Sequence, residues 1–114
     1  MSLPDPHCEW VRLAPADALP VGKSVGIDVD GEQVALFHTK SGYRALGGLC
    51  LHMAAQLSDG QVVDADVVCP LHGWRYDLAS GARKDRPGQG VATYPLEIHD
   101  GWLFLSLPRR ETAR

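Results

Sequence analysis

The chain has 114 residues and a formal net charge of −3, from 11 basic and 14 acidic side chains. This length fits one domain, residues 1–114, with a hydrophobic core of its own. The acidic balance argues against a general nucleic-acid binder, which would carry a basic patch. No apolar run approaches the roughly 18 residues that a membrane-spanning helix needs, so we expect neither nucleic acid nor membrane among its partners.

Short segments with strand character alternate with turn signals along the chain. Between the turns, the residue types predict strands at 9–13, 24–30, 33–39, 43–46, 67–69, 74–78, 94–99 and 102–107. The turn signals are Asp30-Gly31, Ser41-Gly42, Asp59-Gly60, Ser80-Gly81 and Asp100-Gly101. Only residues 15–19 suggest a short helical turn. Many short strands with glycine-containing turns indicate an all-β sandwich or barrel.

Two of these turns predict hairpins. Ser41-Gly42 joins the strands 33–39 and 43–46, and Asp100-Gly101 joins the last two strands. At Asp100-Gly101 we expect a type I′ turn, because its twist matches that of the flanking strands. The segment 81–90, GARKDRPGQG, is predicted to be a loop, and residues 108–114 a frayed tail.

The chain has two short pairs of metal-binding residues with sixteen residues between them: Cys50-Leu51-His52 and Cys69-Pro70-Leu71-His72. Each pair offers one thiolate and one imidazole. Two equal pairs suit a binuclear centre with chemically different ends. In a [2Fe–2S] cluster, Cys50 and Cys69 would hold one iron and His52 and His72 the other, since thiolate and imidazole both suit iron. A centre of this kind moves single electrons.

Two other interpretations of these four residues remain open. They could bind Zn²⁺ as a Cys₂His₂ site that stabilises an interaction module, although such sites usually present the two cysteines together and the two histidines together. Alternatively, they are two buried cysteines and two incidental histidines without a metal. Ligand softness and spacing favour the cluster.

The motifs and their surroundings resemble the Rieske iron–sulfur family. The strings CLHMAAQLSDG (50–60) and CPLHGWRYDLASG (69–81) are similar to the two cluster loops of Rieske ferredoxins and oxygenases. The resemblance covers roughly residues 9–107. It implies a Rieske-like antiparallel β sandwich or barrel with a small cluster-binding subdomain. A base would be built from residues 9–46 and 92–107, and an insertion from about 47 to 80 would carry both ligand loops.

The resemblance also indicates how the cluster is tuned. Gly47, Gly48 and Gly73 are expected to let backbone N–H groups approach the cluster sulfurs. High-potential Rieske proteins have a disulfide between the loops, and the matching positions here are Ala55 and Leu71. A serine that hydrogen-bonds the cluster there is replaced by Trp74. Fewer donors stabilise the reduced cluster less, so we predict a potential nearer about −150 mV than about +300 mV.

Side chains beside the ligands have less specific interpretations. Met53, Pro70, Leu71 and Trp74 form either an apolar docking rim or simple packing between the loops. The basic run Arg83, Lys84 and Arg86 could steer an acidic partner, but we expect a solvated loop. The remaining histidines have no ligand-spaced companions and are expected to be structural or exposed: His7, His38 and His99.

The resemblance implies a Rieske-type ferredoxin rather than an enzyme. Such a protein accepts one electron from a flavin-dependent ferredoxin reductase and delivers it to a terminal, ring-hydroxylating oxygenase. One alternative is the Rieske-like small subunit of an assimilatory nitrite reductase, a family in which cluster ligands are often missing. The other is the N-terminal domain of a Rieske oxygenase cut from its catalytic part. That part would supply a mononuclear iron site of two histidines and a carboxylate, and since no such site follows residue 80, we do not expect a complete oxygenase.

The cysteines and the first residues indicate a compartment. With Cys50 and Cys69 assigned to metal, Cys8 is left alone, so we expect no intrachain disulfide. The segment MSLPDPHCEW has neither the basic nor the apolar region of a signal peptide. We therefore expect a monomer in the reducing cytoplasm.

Overall fold

A computed structural model describes residues 8–29, 31–48, 56–70, 73–84, 86 and 88–108, without the side chains of Cys8 and Pro108. These residues form three antiparallel three-stranded sheets, with strand orders β1-β9-β8, β2-β3-β4 and β5-β6-β7. The strands are β1 Cys8–Pro15, β2 Ser24–Val29, β3 Glu32–Thr39, β4 Gly42–Gly47, β5 Gln61–Val63, β6 Asp66–Val68, β7 Arg75–Asp77, β8 Leu96–His99 and β9 Trp102–Pro108. Two 3₁₀ turns lie at Ala16–Ala18 and Leu57–Asp59. The predicted all-β class is confirmed.

The sequence-based prediction lacks one strand and gives the ends of the others within about two residues of their observed positions. The missed strand, β5, has only three residues, and its first two are exposed. Nothing in so short a segment distinguishes it from a turn until it pairs with β6. The helical turn expected near residues 15–19 is present as the first 3₁₀ turn. In the described part of the chain, no helix has the length and hydropathy of a membrane span.

The last hairpin has the predicted turn. Asp100 and Gly101 both have positive φ angles, 53° and 81°, as a type I′ turn requires at its two central residues. The turn connects His99 directly to its cross-strand partner Trp102. The register of β8 on β9 follows from this two-residue connection, and it places Leu103 and Leu105 in the protein interior.

The sheet β2-β3-β4 lies between two hydrophobic cores. In β3, Val34 and Leu36 join a core with residues of the β1-β9-β8 sheet, whereas Ala35 and Phe37 join a core with residues of the β5-β6-β7 sheet. Successive side chains of a strand point to opposite faces, and all four of these are buried. A strand covered on both faces reads as a continuous apolar run, as VALF does here.

The two cores correspond to a base and a second layer. The base core contains Leu19, Val29, Val34, Leu36, Ala45, Leu105 and Leu107. The second core contains Ala35, Phe37, Leu46, Leu57, Val67, Cys69, Tyr76 and Leu78. Of the four predicted ligands, Cys69 thus belongs to the second core, on the face of the middle sheet opposite the base.

The segment predicted as a loop at 81–90 forms, together with Val91, an irregular hairpin (the 81–91 hairpin) that pairs with β7. Bridges join Tyr76 to Arg83 and Ala82 to Gly90. The N–H of Lys84 donates to the carbonyl of Arg75 at 2.9 Å. Backbone pairing therefore continues well past residue 80. We propose that the insertion carrying the ligand loops extends to residue 91, beyond the predicted end at about residue 80.

Candidate metal centre

One of the four predicted ligands can be placed. Cys69 follows β6 directly and is 2% exposed, whereas Cys50, His52 and His72 lie outside the described residues. Within the described part of the chain, no three His, Cys, Asp or Glu side chains are grouped to hold a metal ion. The described part of the candidate centre therefore consists of Cys69 and the chain on either side of the two motifs.

Backbone hydrogen bonds join the described residues on the two sides of residues 71 and 72. The N–H of Cys69 donates to the carbonyl of Trp74 at 2.7 Å, and the N–H of Gly73 donates to the carbonyl of Cys69 at 3.0 Å. Gly73 has a φ of 73°, a conformation that glycine adopts without steric cost. These bonds fix the backbone of Cys69 at the point where the chain leaves β6 and returns to β7.

The ends of the segment that carries the first motif are also joined. The N–H of Leu57 donates to the carbonyl of Gly48 at 2.9 Å, and the N–H of Gly48 donates to the carbonyl of Gln33 at 2.7 Å. A Cβ atom on Gly48 would lie 3.0 Å from the backbone carbon of Gln33. Glycine therefore permits the close approach that anchors this segment to the middle sheet.

The flanks of the two motifs meet in one core. Leu46 and Leu57 come from either side of the first motif, and both are fully buried. They share a hydrophobic cluster with Cys69, and Trp74 packs against the same cluster. The fold therefore brings together the chain around both predicted pairs, and it places the thiol of Cys69 among apolar side chains. A buried soft ligand fits the inner end of an iron–sulfur centre.

The three glycines next to the motifs make backbone hydrogen bonds of their own. The N–H groups of Gly47, Gly48 and Gly73 donate to the backbone carbonyls of Ala92, Gln33 and Cys69, respectively, at 2.7–3.0 Å. Of these acceptors, Gln33 belongs to β3, whereas Ala92 and Cys69 lie outside the strands. The glycines therefore shape the backbone next to both motifs, and the approach of backbone N–H groups to the cluster sulfurs stays a prediction.

A set of ion pairs lies beside the second loop. The Asp66 side chain is only 9% exposed and accepts a hydrogen bond from Arg75 Nη2 at 2.9 Å. Lys84 Nζ lies 3.4 Å from Asp66 Oδ1 and 3.4 Å from Asp77 Oδ2. The contact with Asp66, which contributes most, and the contact with Asp77 raise the pKa of Lys84. At 3.4 Å the attraction to Asp66 is mainly ionic, in agreement with Oδ1 lacking a hydrogen-bond partner.

The basic run after the second loop is not the solvated loop that we expected. Arg83 is 6% exposed, and its guanidinium lies 3.3 Å from the centroid of the Trp74 ring. Lys84 is exposed but makes ion pairs with Asp66 and Asp77, and Arg86 is exposed. Sequence alone gave no signal for the contact with Trp74, because it depends on how the 81–91 hairpin folds against β7.

The structure also places other side chains near the motifs and two of the remaining histidines. Trp74 packs on the second core, as the packing interpretation predicted, and Pro70 is exposed, as a docking rim requires; Met53 and Leu71 lie outside the described residues. His38 contacts the carbonyl of Leu19 through Nδ1 at 2.5 Å and stacks on Tyr43. His99 contacts Glu97 at 2.7 Å. The structural role expected for these two histidines is confirmed, and His7 lies outside the described residues.

Asp77 organises the turn that follows β7, and its replacement tests that role. Asp77 Oδ1 accepts hydrogen bonds from the N–H groups of Ala79 and Ser80 at 2.8 and 2.9 Å. We expect Asp77→Ala to lower the free energy of unfolding by about 1–2 kcal/mol, because two N–H groups lose their acceptor. Asp77→Asn, which keeps a side-chain oxygen, should cost less. Urea unfolding of both variants measures the difference, and equal losses would contradict the turn-forming role.

The same hydrogen bonds set the sign of a pH effect. The N–H of Ser80 contributes most to holding the pKa of Asp77 below its usual 3.8. A group whose pKa is lower in the folded state stabilises the fold above its unfolded pKa and loses that contribution as the pH falls through the folded value. The contribution of Asp77 is therefore complete near neutral pH and disappears only below about pH 4.

Comparison with known proteins identifies the centre. The sequence model of the Rieske [2Fe-2S] domain matches residues 9–95. The chain belongs to the Rieske [2Fe-2S] family. The ferredoxin component of the naphthalene 1,2-dioxygenase/salicylate 5-hydroxylase systems of Ralstonia sp. is 33% identical over 99 residues, which are 86% of this chain and 95% of that protein.

Solved structures of this Rieske family agree with the fold. The ferredoxin of carbazole 1,9a-dioxygenase from Nocardioides aromaticivorans IC177 has a TM-score of 0.78 and 29% identity, covering 88% of this chain and 98% of its own. A structure described as an NADH-dependent nitrite reductase small subunit from Mycobacterium tuberculosis has a TM-score of 0.83 and 28% identity, covering 90% of this chain and 98% of its own. The predicted [2Fe–2S] cofactor is confirmed by the family, and the protein is a ferredoxin-type electron carrier rather than an enzyme.

Proposed function

We propose that this Rieske protein carries single electrons from a flavin-dependent ferredoxin reductase to a terminal, ring-hydroxylating oxygenase. The observation that carries the proposal is the 33% identity, over 95% of its length, to a ferredoxin component of a dioxygenase and hydroxylase system. The match covers 86% of this chain and 95% of that protein. The protein performs no substrate chemistry of its own.

Cys50, His52, Cys69 and His72 are proposed as the cluster ligands. In this assignment the two cysteines would hold the inner iron and the two histidines the outer iron. The assignment is supported by the burial of the Cys69 thiol and by the shared core beneath both motifs. When bound, the cluster supplies a one-electron change. The protein residues keep water away from Cys69 and hold the two loop bases in place.

The proposed contact with the redox partners lies at the end of the second loop. Pro70 is exposed next to the buried Cys69, so the chain reaches the surface within one residue of a proposed ligand. Contacts between electron-transfer partners are characteristically small and transient. A monomer that meets the reductase and the oxygenase in turn fits this arrangement. The cytoplasm remains the proposed compartment, because two of the three cysteines are assigned to metal.

A nitrite reductase small subunit is the second candidate, and the TM-score of 0.83 favours it. A small subunit would work in a stable complex with its large subunit, whereas a carrier must dissociate after each transfer. The presence of all four proposed ligands in the sequence favours the carrier. The two functions therefore differ in the lifetime of the complex as well as in the electron acceptor.

Anaerobic electron transfer distinguishes the two candidates. The holoprotein is reduced with dithionite and mixed with the oxidised terminal oxygenase of a naphthalene 1,2-dioxygenase system. We expect one electron to be taken up per chain, followed by reoxidation at a rate that saturates with oxygenase concentration. A reduced protein that the oxygenase does not reoxidise, but that forms a stable complex with a nitrite reductase large subunit, would contradict the carrier function.

A further inference from the structure

Trp74 connects the backbone of Cys69 to a buried cation. Its carbonyl accepts the hydrogen bond from the N–H of Cys69 at 2.7 Å, and its ring packs against the core that contains Cys69. The guanidinium of Arg83 lies over the ring, 3.3 Å from its centroid. Trp74 is therefore held between the hydrophobic core and a positive charge. A contact between a cation and an aromatic face is strongest where water is excluded.

Arg83 is itself held firmly in this position. Its N–H donates to the carbonyl of Gln89 at 2.8 Å, and its Nη1 donates to Gln89 Oε1 at 3.2 Å. Its backbone also bridges to Tyr76, two residues beyond Trp74. With 6% of its surface exposed, Arg83 is one of the few buried charged residues in the described part of the chain, and its guanidinium lies over Trp74, which follows the second motif by two residues.

We propose that Arg83 is a positioning residue for the second ligand loop and that its charge favours the reduced cluster. This inference rests on the proposed function and ligand set, and it adds a residue that regulates the centre. Reduction adds one negative charge to the cluster. A fixed positive charge in a site with little water stabilises that added charge more than a solvated cation does. The stacking contact supplies the position, and the guanidinium supplies the charge.

Three variants of the holoprotein separate position from charge. Arg83→Gln removes the charge, and Arg83→Lys keeps the charge but loses the planar stack on Trp74. Arg86→Gln, which removes an exposed cation from the same segment, is the matched control. The readouts are the midpoint potential in an anaerobic titration and the rate at which the visible absorbance of the cluster is lost in the presence of an iron chelator.

For Arg83→Gln we expect the equilibrium constant for reduction to fall about tenfold, which is about 59 mV for one electron. Arg83→Lys should change this constant by less than about twofold, because it keeps the charge. Arg86→Gln should also change it by less than about twofold, because it removes a charge that is already screened by water. Both Arg83 variants should lose the cluster several-fold faster than the parent, and Arg86→Gln at the parental rate.

Two results would overturn the proposal. The role of the charge would be excluded if Arg83→Gln had the same potential as Arg86→Gln. It would also be excluded if Arg83→Lys lowered the potential as much as Arg83→Gln. Parental rates of cluster loss in both Arg83 variants would exclude the positioning role. If Arg83→Gln fails to take up the cluster, Arg83→Met, a second neutral variant with a long side chain, takes its place, and an unchanged potential there would exclude the role of the charge. Neither readout involves a reductase or an oxygenase, so failure of the proposed function would not be mistaken for failure of this inference.

Discussion

Cys69→Ala is expected to eliminate the [2Fe–2S] cluster and to leave the base of the protein folded. The thiol of Cys69 is buried in the second core, so the alanine variant offers the inner iron neither a thiolate nor a water molecule in its place. The base core is built from other residues, on the opposite face of the middle sheet. Loss of the cluster, which links the two loops, should therefore leave the β1-β9-β8 and β2-β3-β4 sheets intact.

The measurement is the iron and sulfide content of the purified variant, together with its visible absorbance and far-ultraviolet circular dichroism. Cys8→Ala is the matched control, because Cys8 is the cysteine that the sequence leaves outside both motifs. We expect Cys8→Ala to contain the parental amount of iron and sulfide. A Cys69→Ala protein that retains a cluster with the parental absorbance would show that Cys69 is not a ligand.

Gly81→Ala should cause the largest loss of stability among the glycine variants of the 81–91 hairpin. Gly81 has a φ of 76°, and a Cβ atom there would lie 2.2 Å from the backbone oxygen of Val91. The carbonyl of Gly81 also accepts the hydrogen bond from the N–H of Val91 at 2.9 Å. We expect the free energy of unfolding to fall by about 3–5 kcal/mol, because the strained backbone and the steric clash add to each other.

Gly88→Ala separates the two contributions. Gly88 has a φ of 88°, but its Cβ would meet no atom within 4 Å. This variant should therefore show only the cost of the left-handed backbone, about 1–2 kcal/mol. Urea unfolding of both holoproteins, followed by circular dichroism, gives the comparison. Equal losses in the two variants would mean that the contact between residues 81 and 91 has no steric role.

Much of the fold followed from local sequence. The Asp100-Gly101 pair predicted a type I′ hairpin, since these residue types adopt the positive φ angles that the turn requires, and both angles are positive. The apolar residues of β3 predicted a strand, although pattern alone did not show that the strand is buried on both faces. That property became visible only when the base and the second layer were placed on either side of it.

The features that the sequence did not reveal depend on contacts between distant segments. Arg83 looked like part of a solvated basic run, and its burial follows from the pairing of the 81–91 hairpin with β7. The N–H groups of the glycines next to the motifs complete hydrogen bonds with the backbone carbonyls of Ala92, Gln33 and Cys69. Neither outcome has a local sequence signal, because the partners are up to 45 residues away, as for Gly47 and Ala92.

The predicted low potential stays a prediction, and two features act on it in opposite directions. The resemblance places Trp74 where high-potential Rieske proteins have a hydrogen-bonding serine, and we expect the loss of that donor to lower the potential. The charge of Arg83, held over the Trp74 ring, should raise it. The potential of Arg83→Gln measures the second effect separately from the first.

Pulsed electron paramagnetic resonance of the dithionite-reduced holoprotein tests the central claim most directly. A [2Fe–2S] cluster held by two cysteines and two histidines should give a rhombic signal with an average g below the free-electron value. It should also show hyperfine coupling to the nitrogens of two imidazoles, and the signal should disappear on reoxidation. A reduced protein without such a signal that contains stoichiometric zinc, or a cluster signal without nitrogen coupling, would contradict the account.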